Sequence, residues 1–448
     1  MSKPPASARA RALARLARIE EGGAYADAFG GNATLSDEEA RAERQAVEYV
    51  AGVTRRRRWL DYLLAQFYRG DLGAMEPVLR QILRIGLYDL LFLDTPPHAA
   101  VHEAVELAKR EVRPKAGGLV NAVLRAALRA RDRLPMPDTG RPARDLAIRH
   151  SHPTWMVRRW LERYGDAETE ALLAQNNARP RYALRVNTRR TDVDQIRERL
   201  SALGVDASPS RYLDDFVTVD RLQPVLRAGL FTGGTVAVQD EAAALVVRVL
   251  DPQPGDTVLD LAAAPGGKAL YAALRMSDAG RVRAFDLHAG KANRIRTAAS
   301  AHGLTSVEVE AADLRDLAAR SGAPAGDRVL LDAPCSGLGV LAKRADLRWR
   351  RAPDALADLA ALQDELLDAA AALVRPGGLL VYSTCTTEPE ENEDRVAAFL
   401  ARHPGFALER ADGLVPRAFV TEAGTYAALP QRHGTDGAFA ARLRRTAG

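Results

Sequence analysis

The carboxyl-terminal half of the chain alternates short strand-like segments with helical ones, and no other feature constrains the fold as strongly. From about residue 236, apolar runs end in polar or glycine-rich turns and are separated by helical stretches. Parallel strands joined by crossover helices produce this rhythm. We therefore predict an α/β domain with a doubly wound, mostly parallel sheet, whose ligand site lies at the carboxyl ends of the strands. The predicted strands cover residues 257–261, 281–287, 306–311, 328–331 and 378–383.

The amino-terminal half has a different organisation. Residues 6–130 are almost entirely helical in pattern, with apolar residues at helical spacing between positions 78 and 91. Residues 134–142 contain three prolines and a glycine, which is typical of a linker. A mixed pattern of helix and strand follows up to about residue 235. We therefore predict three parts: an all-α bundle in residues 1–138, a small α+β module in 139–235 and the α/β domain in 236–448.

Composition excludes several classes of protein. The formal net charge of +5 permits an acidic partner without requiring one. The only cysteines, Cys335 and Cys385, are far apart in sequence, which argues against a disulfide framework or a cysteine-rich metal site. The first residues lead into an arginine-rich stretch without an apolar core, and no apolar run is long enough to span a membrane. We therefore expect a cytoplasmic protein without a metal or membrane attachment, and a monomer.

Residues 259–268 form the first motif that indicates chemistry. They read Leu-Asp-Leu-Ala-Ala-Ala-Pro-Gly-Gly-Lys and join a predicted strand to a predicted helix. Gly266 and Gly267 allow close approach of the backbone to a ligand, although Gly-x-Gly-x-x-Gly, typical of dinucleotide sites, is absent. Asp286 ends the next predicted strand, where an acid commonly binds ribose hydroxyls, and Asp313 follows the third, where it would suit an adenine edge.

Both cysteines follow predicted strands. Cys335 lies in Asp-Ala-Pro-Cys-Ser-Gly and Cys385 in Ser-Thr-Cys-Thr, at the edge where such a fold keeps its site. Thr387 and Glu390 have the spacing of a capping box, which would place Cys385 just before a helix. A thiolate that adds to carbon 6 of cytosine makes carbon 5 nucleophilic, and Asp332 is well placed to stabilise the charge on the ring. The spacing does not say which cysteine attacks.

Three strings in this domain resemble a known family. Residues 263–268, 332–337 and 383–386 are similar to motifs of the RsmB/NOP/Sun family of RNA 5-methylcytosine methyltransferases. Residues 239–242 and 436–439 resemble the entry and the last strand of its catalytic domain. Residues 83–88, 97–101 and 120–125 resemble the family's NusB-like RNA-binding head. The similarity covers essentially the whole chain, and it is greatest to members that act on bacterial small-subunit (16S) ribosomal RNA.

The resemblance implies a NusB-like helical RNA-binding domain, a small α+β RNA-binding module and a Rossmann-like methyltransferase domain that uses S-adenosylmethionine. It implies that Cys385 is the nucleophile, that Cys335 helps to release the product, and that Lys268 faces the reacting base. Many relatives have Cys where this chain has Ala262, a change that we expect to leave catalysis intact. The implied cofactor site comprises Ala262, Ala263, Ala264, Pro265, Gly266, Gly267, Lys268, Asp286, Asp313 and Asp332.

Basic stretches are candidate RNA contacts, although an isolated charge run is usually only a solvated surface. The third stretch described here surrounds Trp349 and lies close in sequence to Cys335, so that it could combine base stacking with phosphate contact. The candidates are Arg55–Arg58 in the head, Arg179, Arg181, Arg185, Arg189 and Arg190 in the middle module, and Lys343, Arg344, Arg348, Arg350 and Arg351.

Other functions stay open at this stage. The same chemistry on transfer RNA is the alternative within enzymes. A non-catalytic RNA-binding assembly or transcription factor is the alternative that the NusB-like head alone would suggest, although Cys335, Cys385 and Asp332 are all present. A nicotinamide oxidoreductase is a third option, which the missing Gly-x-Gly-x-x-Gly and the unexplained cysteines disfavour.

Overall fold

A computed structural model describes residues 7–20 and 36–446, and the expectation about the first residues of the chain falls partly outside this range. Two compact units are present. The first contains the described residues up to Ala178 together with Leu341–Arg350, and the second contains Arg179–Val340 and the described residues from Arg351 onward. Within the described residues, no helix has the length and apolar character needed to cross a membrane.

The elements are numbered in chain order. The helices are α1 Ala8–Glu20, α2 Asp37–Phe67, α3 Pro77–Phe92, α4 Pro97–Glu111, α5 Ala116–Arg129, α6 Pro142–Arg149, α7 Thr154–Asn177, α8 Val193–Ala202, α9 Gln223–Arg227, α10 Glu241–Leu250, α11 Gly267–Arg275, α12 Ala289–His302, α13 Leu314–Ala319, α14 Leu347–Arg350, α15 Ala355–Ala372, α16 Glu393–Arg402 and α17 Pro430–His433. The strands are β1 Tyr182–Val186, β2 Ala207–Pro209, β3 Phe216–Val219, β4 Val236–Val238, β5 Thr257–Asp260, β6 Arg281–Asp286, β7 Val307–Ala311, β8 Gly326–Asp332, β9 Val374–Thr384, β10 Phe406–Glu409, β11 Tyr426–Ala428 and β12 Ala438–Arg445.

The first unit is helical, as the periodicity predicts. Helices α1 to α5 pack around one aliphatic core, in which the apolar stripe of α3 is almost completely buried. Ser36 and Glu39 form a capping box at the start of α2, and prolines begin α3 and α4 where a missing N–H costs nothing. Helix α7 is kinked at Gly165, whose φ of 73° lies in the left-handed region.

The second unit contains a small sheet and a large one. The small sheet has the order β2-β3-β1-β4, is antiparallel throughout, and shares an apolar core with α8. The large sheet has eight strands in the order β10-β12-β9-β8-β5-β6-β7, with β11 paired to β12. Strands β5 to β9 are parallel to their neighbours, and β12 joins β9 in the antiparallel sense.

The structure confirms the α/β interpretation and adds an antiparallel edge formed by β10, β11 and β12. Strand β9 is the one most clearly buried on both faces, because Leu379, Leu380, Val381 and Tyr382 are all inaccessible. The chain runs from β5 outward through β6 and β7, and then returns to β8 on the other side of β5. The topological switch point therefore lies between β5 and β8, where a doubly wound sheet binds its ligand.

The predicted boundaries at residues 138 and 235 are not the divisions seen in the contacts. Helices α6 and α7, which the prediction assigned to the middle module, lie within the first compact unit. The small sheet of the middle module lies in the second unit. The division of the chain into three domains at residues 138 and 235 therefore stays a prediction.

Candidate active site

The candidate site lies at the carboxyl ends of β5, β8 and β9. Asp260 is the last residue of β5 and Asp332 is the last residue of β8. Cys335 follows Asp332 by three residues, and Cys385 comes directly after β9. Parallel strands end at the same edge of a sheet. Residues as distant in sequence as Asp260 and Cys385 are therefore brought to the region of the switch point.

The two cysteines are in direct contact. Their Sγ atoms are 3.3 Å apart, and the backbone N–H of Cys385 donates to the Cys335 sulfur at 3.4 Å. Both residues are half-buried and neither is in a disulfide. The hydrogen bond with Cys385, burial, and the negative charges of Cys385 and Glu391 raise the pKa of the Cys335 thiol well above its usual value. A Cys335 thiol can therefore donate to a Cys385 thiolate.

Asp332 is held by two partners. Its Oδ2 is 2.7 Å from the Lys268 ammonium, and its Oδ1 accepts from the Ser383 hydroxyl at 2.8 Å. Burial alone would lower the pKa of Lys268, but Asp332 and the charge of Cys385 raise it above the usual value. Lys268 therefore stays cationic beside the Asp332 carboxylate, close enough for its charge to interact with that of Cys385.

The loop after β5 borders a cavity of about 180 Å³. Gly266 has a φ of 107°, and a Cβ there would lie 3.1 Å from the Ile295 side chain, so that only glycine fits this turn without strain. The cavity is lined by Val238, Gln239, Asp240, Ala243, Asp260, Ala262, Ala263, Ala264, Pro265, Gly267, Lys268 and Asp332. Most of the implied cofactor loop thus faces one cavity next to the Lys268–Asp332 pair.

Asp260 is the residue in this cavity that sequence reasoning missed. Its side chain is 1% exposed, and neither carboxylate oxygen has a hydrogen-bond partner among the described residues. Burial and the neighbouring Asp332 raise its pKa to about 7. A buried carboxyl without such partners fits a ligand that brings hydrogen-bond donors or positive charge, as a sulfonium cofactor with an α-ammonium group does.

Asp286 and Asp313 stand somewhat apart. Asp286 ends β6, and its Oδ1 accepts from the backbone N–H of His288 at 3.0 Å. Asp313 caps α13 through the Arg315 N–H at 2.9 Å and pairs with the Arg315 guanidinium at 2.8 Å. Neither residue lines the cavity described above, so their cofactor roles stay predictions.

Arg185 is hydrogen-bonded to the loop after β5. It is 1% exposed and donates to the Gln239 side chain and to the Gly267 carbonyl oxygen, the latter at 2.6 Å. Burial lowers its pKa to about 10. The hypothesis that Arg185 contacts RNA is therefore wrong, because its guanidinium is enclosed by protein. The alternation of β1 could have revealed its inward position, but nothing in the sequence linked it to Gly267.

The turn after Cys385 differs from the prediction. The expected capping box of Thr387 and Glu390 does not form, because a short 3₁₀ turn begins after Glu388 and α16 begins after Asn392, both without a side-chain cap. The turn is instead held by side chains inside it, with the Thr384 hydroxyl donating to Asn392 at 2.5 Å. Hydrogen bonding within the turn thus replaces the helix N-terminus expected beside Cys385.

Comparison with known proteins identifies the family. The model for 16S rRNA methyltransferase RsmB/F matches residues 247–444, the NusB family model matches 6–129, and the RsmF/B-like ferredoxin-like domain matches 152–226. The probable ribosomal RNA small subunit methyltransferase B of Bacillus subtilis (strain 168) is 35% identical over 446 residues, which are 98% of this chain and 99% of the relative. The chain belongs to the RsmB/F family of rRNA methyltransferases.

Solved structures agree with this assignment. The crystal structure of PH0851 has a TM-score of 0.79 and 28% identity, and covers 99% of this chain and 100% of that one. NSun6 from Pyrococcus horikoshii with SFG has a TM-score of 0.57 and 22% identity, over 64% of this chain and 97% of that one, which shows a shared fold. The predicted NusB-like bundle, small α/β module and Rossmann-like methyltransferase domain are thus confirmed.

The basic stretch around Trp349 is partly engaged within the protein, while Lys343, Arg344, Arg350 and Arg351 are partly exposed and stay predictions as RNA contacts. Arg348 is fully buried, and Trp349 donates its indole N–H to the Thr54 carbonyl oxygen at 2.8 Å. Arg351 donates to the carbonyl oxygens of Ser336 at 2.9 Å and Cys335 at 3.2 Å. The prediction that Arg348 contacts RNA is wrong, because a guanidinium without solvent access cannot meet a phosphate.

The run Arg55–Arg58 in the NusB-like unit also serves the protein interior in part. Arg55 donates to the Ala342 carbonyl oxygen at 3.0 Å, and Arg58 to the His152 carbonyl oxygen at 2.6 Å. Burial, as the first cause, lowers the pKa of Arg56, Arg57 and Arg58. Arg55 and Arg58 are therefore hydrogen-bonded within the helical unit, and burial opposes the charge of Arg56 and Arg57, neither of which a count of charges along the sequence reveals.

The buried Asp260 carboxyl makes stability depend on pH. Its pKa of about 7 in the folded protein exceeds that of an unfolded aspartate, near 3.9. The folded state therefore binds an extra proton between about pH 4 and 7, and its free energy of unfolding decreases as pH rises through that window. In the unsubstituted protein this decrease in the free energy of unfolding should be on the order of a few kcal/mol, and Asp260→Asn should abolish it. The measurement is chemical unfolding without cofactor at pH 5, 6, 7 and 8.

Asp316→Asn is the matched control, because Asp316 is an exposed carboxylate in the first turn of α13. Its unfolding free energies should run parallel to those of the unsubstituted protein. If Asp260→Asn also gave a parallel curve, the Asp260 carboxyl would be ionised in the fold throughout this range.

Proposed function

We propose that this protein transfers a methyl group from S-adenosylmethionine to carbon 5 of a cytosine in 16S rRNA, through a covalent bond between Cys385 and carbon 6. One observation carries the proposal: two free cysteine sulfurs 3.3 Å apart lie at the strand ends that also carry the Lys268–Asp332 pair. A methyltransferase that modified an exocyclic nitrogen or a ribose hydroxyl would have no use for two adjacent thiols at that edge.

The residues have distinct tasks in this scheme. The Cys385 thiolate adds to carbon 6, and the electron pair of the 5,6 double bond moves onto carbon 5 and into the ring. Asp332, held by Lys268 and Ser383, binds the ring nitrogen through a proton shared between the two, and this proton neutralises the negative charge that develops on the ring. After carbon 5 has been methylated, a water molecule takes up its proton, the electron pair of the carbon–hydrogen bond re-forms the 5,6 double bond, the carbon–sulfur bond breaks, and Cys385 departs as a thiolate. Cys335 assists that release. Neither a metal nor a second subunit enters this scheme.

S-adenosylmethionine would supply the electrophilic methyl group. The residues that would hold it are the cavity-lining part of 262–268, together with Asp286, Asp313 and Asp332. Two observations support this cofactor: the unpartnered Asp260 carboxyl in the cavity and the family membership. The structural neighbour NSun6 is described with SFG, a cofactor analogue.

Small-subunit ribosomal RNA is the substrate that the relatives' names support. Carbon 6 is reached from the face of the base, so the target cytosine has to be unstacked or in a single-stranded region. Transfer RNA is the second candidate, because an unstacked cytosine in its loops would meet the same chemical requirement.

The test is methyl transfer from labelled S-adenosylmethionine to unmodified 16S rRNA and to transfer RNA in parallel, followed by nucleoside analysis. We expect label in 5-methylcytosine from 16S rRNA alone. Label in transfer RNA would retain the chemistry and replace the substrate. Label in any other nucleoside would contradict the cytosine chemistry. If neither RNA is labelled while the cofactor binds, assembled small subunits are the next substrate to assay, and their failure too would contradict the proposal.

A further inference from the structure

Glu391 is a buried carboxylate that the scheme above does not use. Its side chain is 0% exposed, and no Lys, Arg or His in the described part of the chain forms an ion pair with it. Its Oε1 accepts from the Ser336 N–H at 2.7 Å and from Gln363 Nε2 at 3.1 Å, and its Oε2 accepts from the Ser336 hydroxyl at 2.5 Å. A buried charge is costly even when hydrogen-bonded, so its retention without a counter-ion calls for a function.

The contacts of Glu391 join the two cysteine loops. Ser336 directly follows Cys335, and its hydroxyl lies 2.9 Å from the hydroxyl of Thr386, which directly follows Cys385. The Gln363 amide also donates to the Pro334 carbonyl oxygen at 2.9 Å, on the other side of Cys335. Glu391 thus holds the backbone next to Cys335 through Ser336, which also contacts the turn after β9 through Thr386.

A second contact joins the loop after Cys335 to the backbone of Cys385. The Gly339 N–H donates to the Cys385 carbonyl oxygen at 3.1 Å, and a Cβ on Gly339 would lie 2.8 Å from that oxygen. Only glycine permits this approach. The sulfur–sulfur distance is therefore set by a rigid arrangement of two loops, in which Glu391 is the charged member.

We propose that Glu391 is a positioning residue that keeps the proton shared by the two sulfurs on Cys335 and so leaves Cys385 as the attacking thiolate. This inference rests on the proposed covalent mechanism, because only there does the location of that proton decide which sulfur attacks. The carboxylate reaches the sulfur through its fixed place beside Ser336, and acts by its charge rather than by touching substrate.

The groups around the sulfurs have opposite effects. Lys268, which pairs with Asp332 at 2.7 Å, is close enough for its charge to interact with that of Cys385, and a nearby cation favours a thiolate. Glu391 faces Cys335, where an anion disfavours it, and burial with nearby Cys335 and Glu391 raises the pKa of Tyr382 well above its usual value, so Tyr382 stays neutral. Arg351 is a cation in contact with the Cys335 loop, where its guanidinium donates to the carbonyl oxygens of Cys335 and Ser336. Asp332, paired with Lys268, completes the set.

The test is Glu391→Gln in the full chain, without RNA or cofactor. Glutamine keeps the size and can still accept from the Ser336 N–H, but the negative charge is lost. The rate of iodoacetamide alkylation of each cysteine is measured against pH by mass spectrometry of the two peptides. We expect the half-point for Cys335 to fall by about one pH unit, a tenfold gain in thiolate at fixed pH, with a smaller shift for Cys385.

Glu393→Gln is the matched control, because Glu393 is an exposed carboxylate two residues away. It should leave both half-points unchanged. A purely structural role for Glu391 would show as faster alkylation of both cysteines at every pH, with unchanged half-points, and would overturn the proposal. So would an unchanged Cys335 profile in a Glu391→Gln protein that unfolds at the usual temperature. Thermal unfolding is measured for both variants, and Glu391→Asp provides a second folded variant that retains the charge.

These outcomes are independent of the enzymatic assay. If the unsubstituted protein fails to methylate RNA but Glu391→Gln shifts the Cys335 half-point, the proposed function fails and the electrostatic assignment stands. If the protein methylates cytosine but the half-point does not move, only the role of Glu391 fails.

Discussion

Cys385→Ser should reduce methyl transfer to RNA by at least about a thousandfold while S-adenosylmethionine binding is unchanged. A serine hydroxyl is scarcely ionised at neutral pH and has no base in contact to activate it, so its addition to carbon 6 loses on the order of 4 kcal/mol of transition-state stabilisation. The measurements are labelled methyl transfer to 16S rRNA and calorimetric titration of the cofactor. The variant should also form no covalent complex with RNA that survives denaturing electrophoresis.

Cys335→Ala is the matched variant, since the same atom is removed 3.3 Å away. Cys385 can still attack, but product release is impaired, so we expect a protein–RNA adduct to accumulate on the denaturing gel. If Cys385→Ser kept full activity and Cys335→Ala lost it, the roles would be reversed. Both variants fully active would exclude covalent catalysis by cysteine.

Arg348→Met should lower the free energy of unfolding of the helical unit by about 3 kcal/mol. The Arg348 guanidinium is fully buried and donates to Asn177 Oδ1 at 2.9 Å and to the carbonyl oxygens of Asn176 at 3.0 Å and Ser151 at 3.1 Å. Longer bonds reach the carbonyl oxygens of Leu341 and Arg55. Methionine fills a similar volume but leaves these acceptors buried and unpaired, which outweighs the relief of burying a charge.

The same variant separates a structural arginine from one that contacts phosphate. At a temperature where the protein is folded, Arg348→Met should bind RNA with the same dependence on salt as the unsubstituted protein, because no phosphate contact has been removed. Arg129→Met, at an exposed position in α5, should change stability by less than about 0.5 kcal/mol. Unchanged stability with a salt slope reduced by about one would show instead that Arg348 reaches the RNA.

Much of the fold can be read from the sequence because it follows from local periodicity. The parallel strands β5 to β9 have patterns that locate them to within a few residues, and periodicity identifies the amino-terminal unit as helical. Strands β10 and β11 of the antiparallel edge are not evident, because short strands with mixed burial lack a distinctive pattern, and β12 is indicated only by the resemblance of residues 436–439. The sequence also does not predict where residues 341–350 pack. They lie within the α/β part of the chain but belong to the helical unit.

The candidate site divides in the same way. Residues 262–268, Asp332, Cys335 and Cys385 are recognisable because each belongs to a contiguous motif at the end of a strand. Asp260, Arg185 and Glu391 are not, because their importance lies in burial and in partners distant along the chain. Arg348 is the opposite case, a residue to which the sequence wrongly assigned a function. It belongs to a basic run beside a tryptophan, which is typical of RNA contact, but its side chain is buried.

The sequence by itself determined the family, the α/β and helical parts, and the candidates for the reactive side chains, because these depend on residue identity and local spacing. Only the tertiary structure decided that the sulfurs touch, that Lys268 pairs with Asp332 within range of the charge of Cys385, and that Glu391 is hydrogen-bonded to Ser336, the residue after Cys335. The reason is electrostatic. The preference of a proton for one sulfur over another depends on the distances to nearby charges and on exclusion of water, and both exist only once strands β5, β8 and β9 have come together.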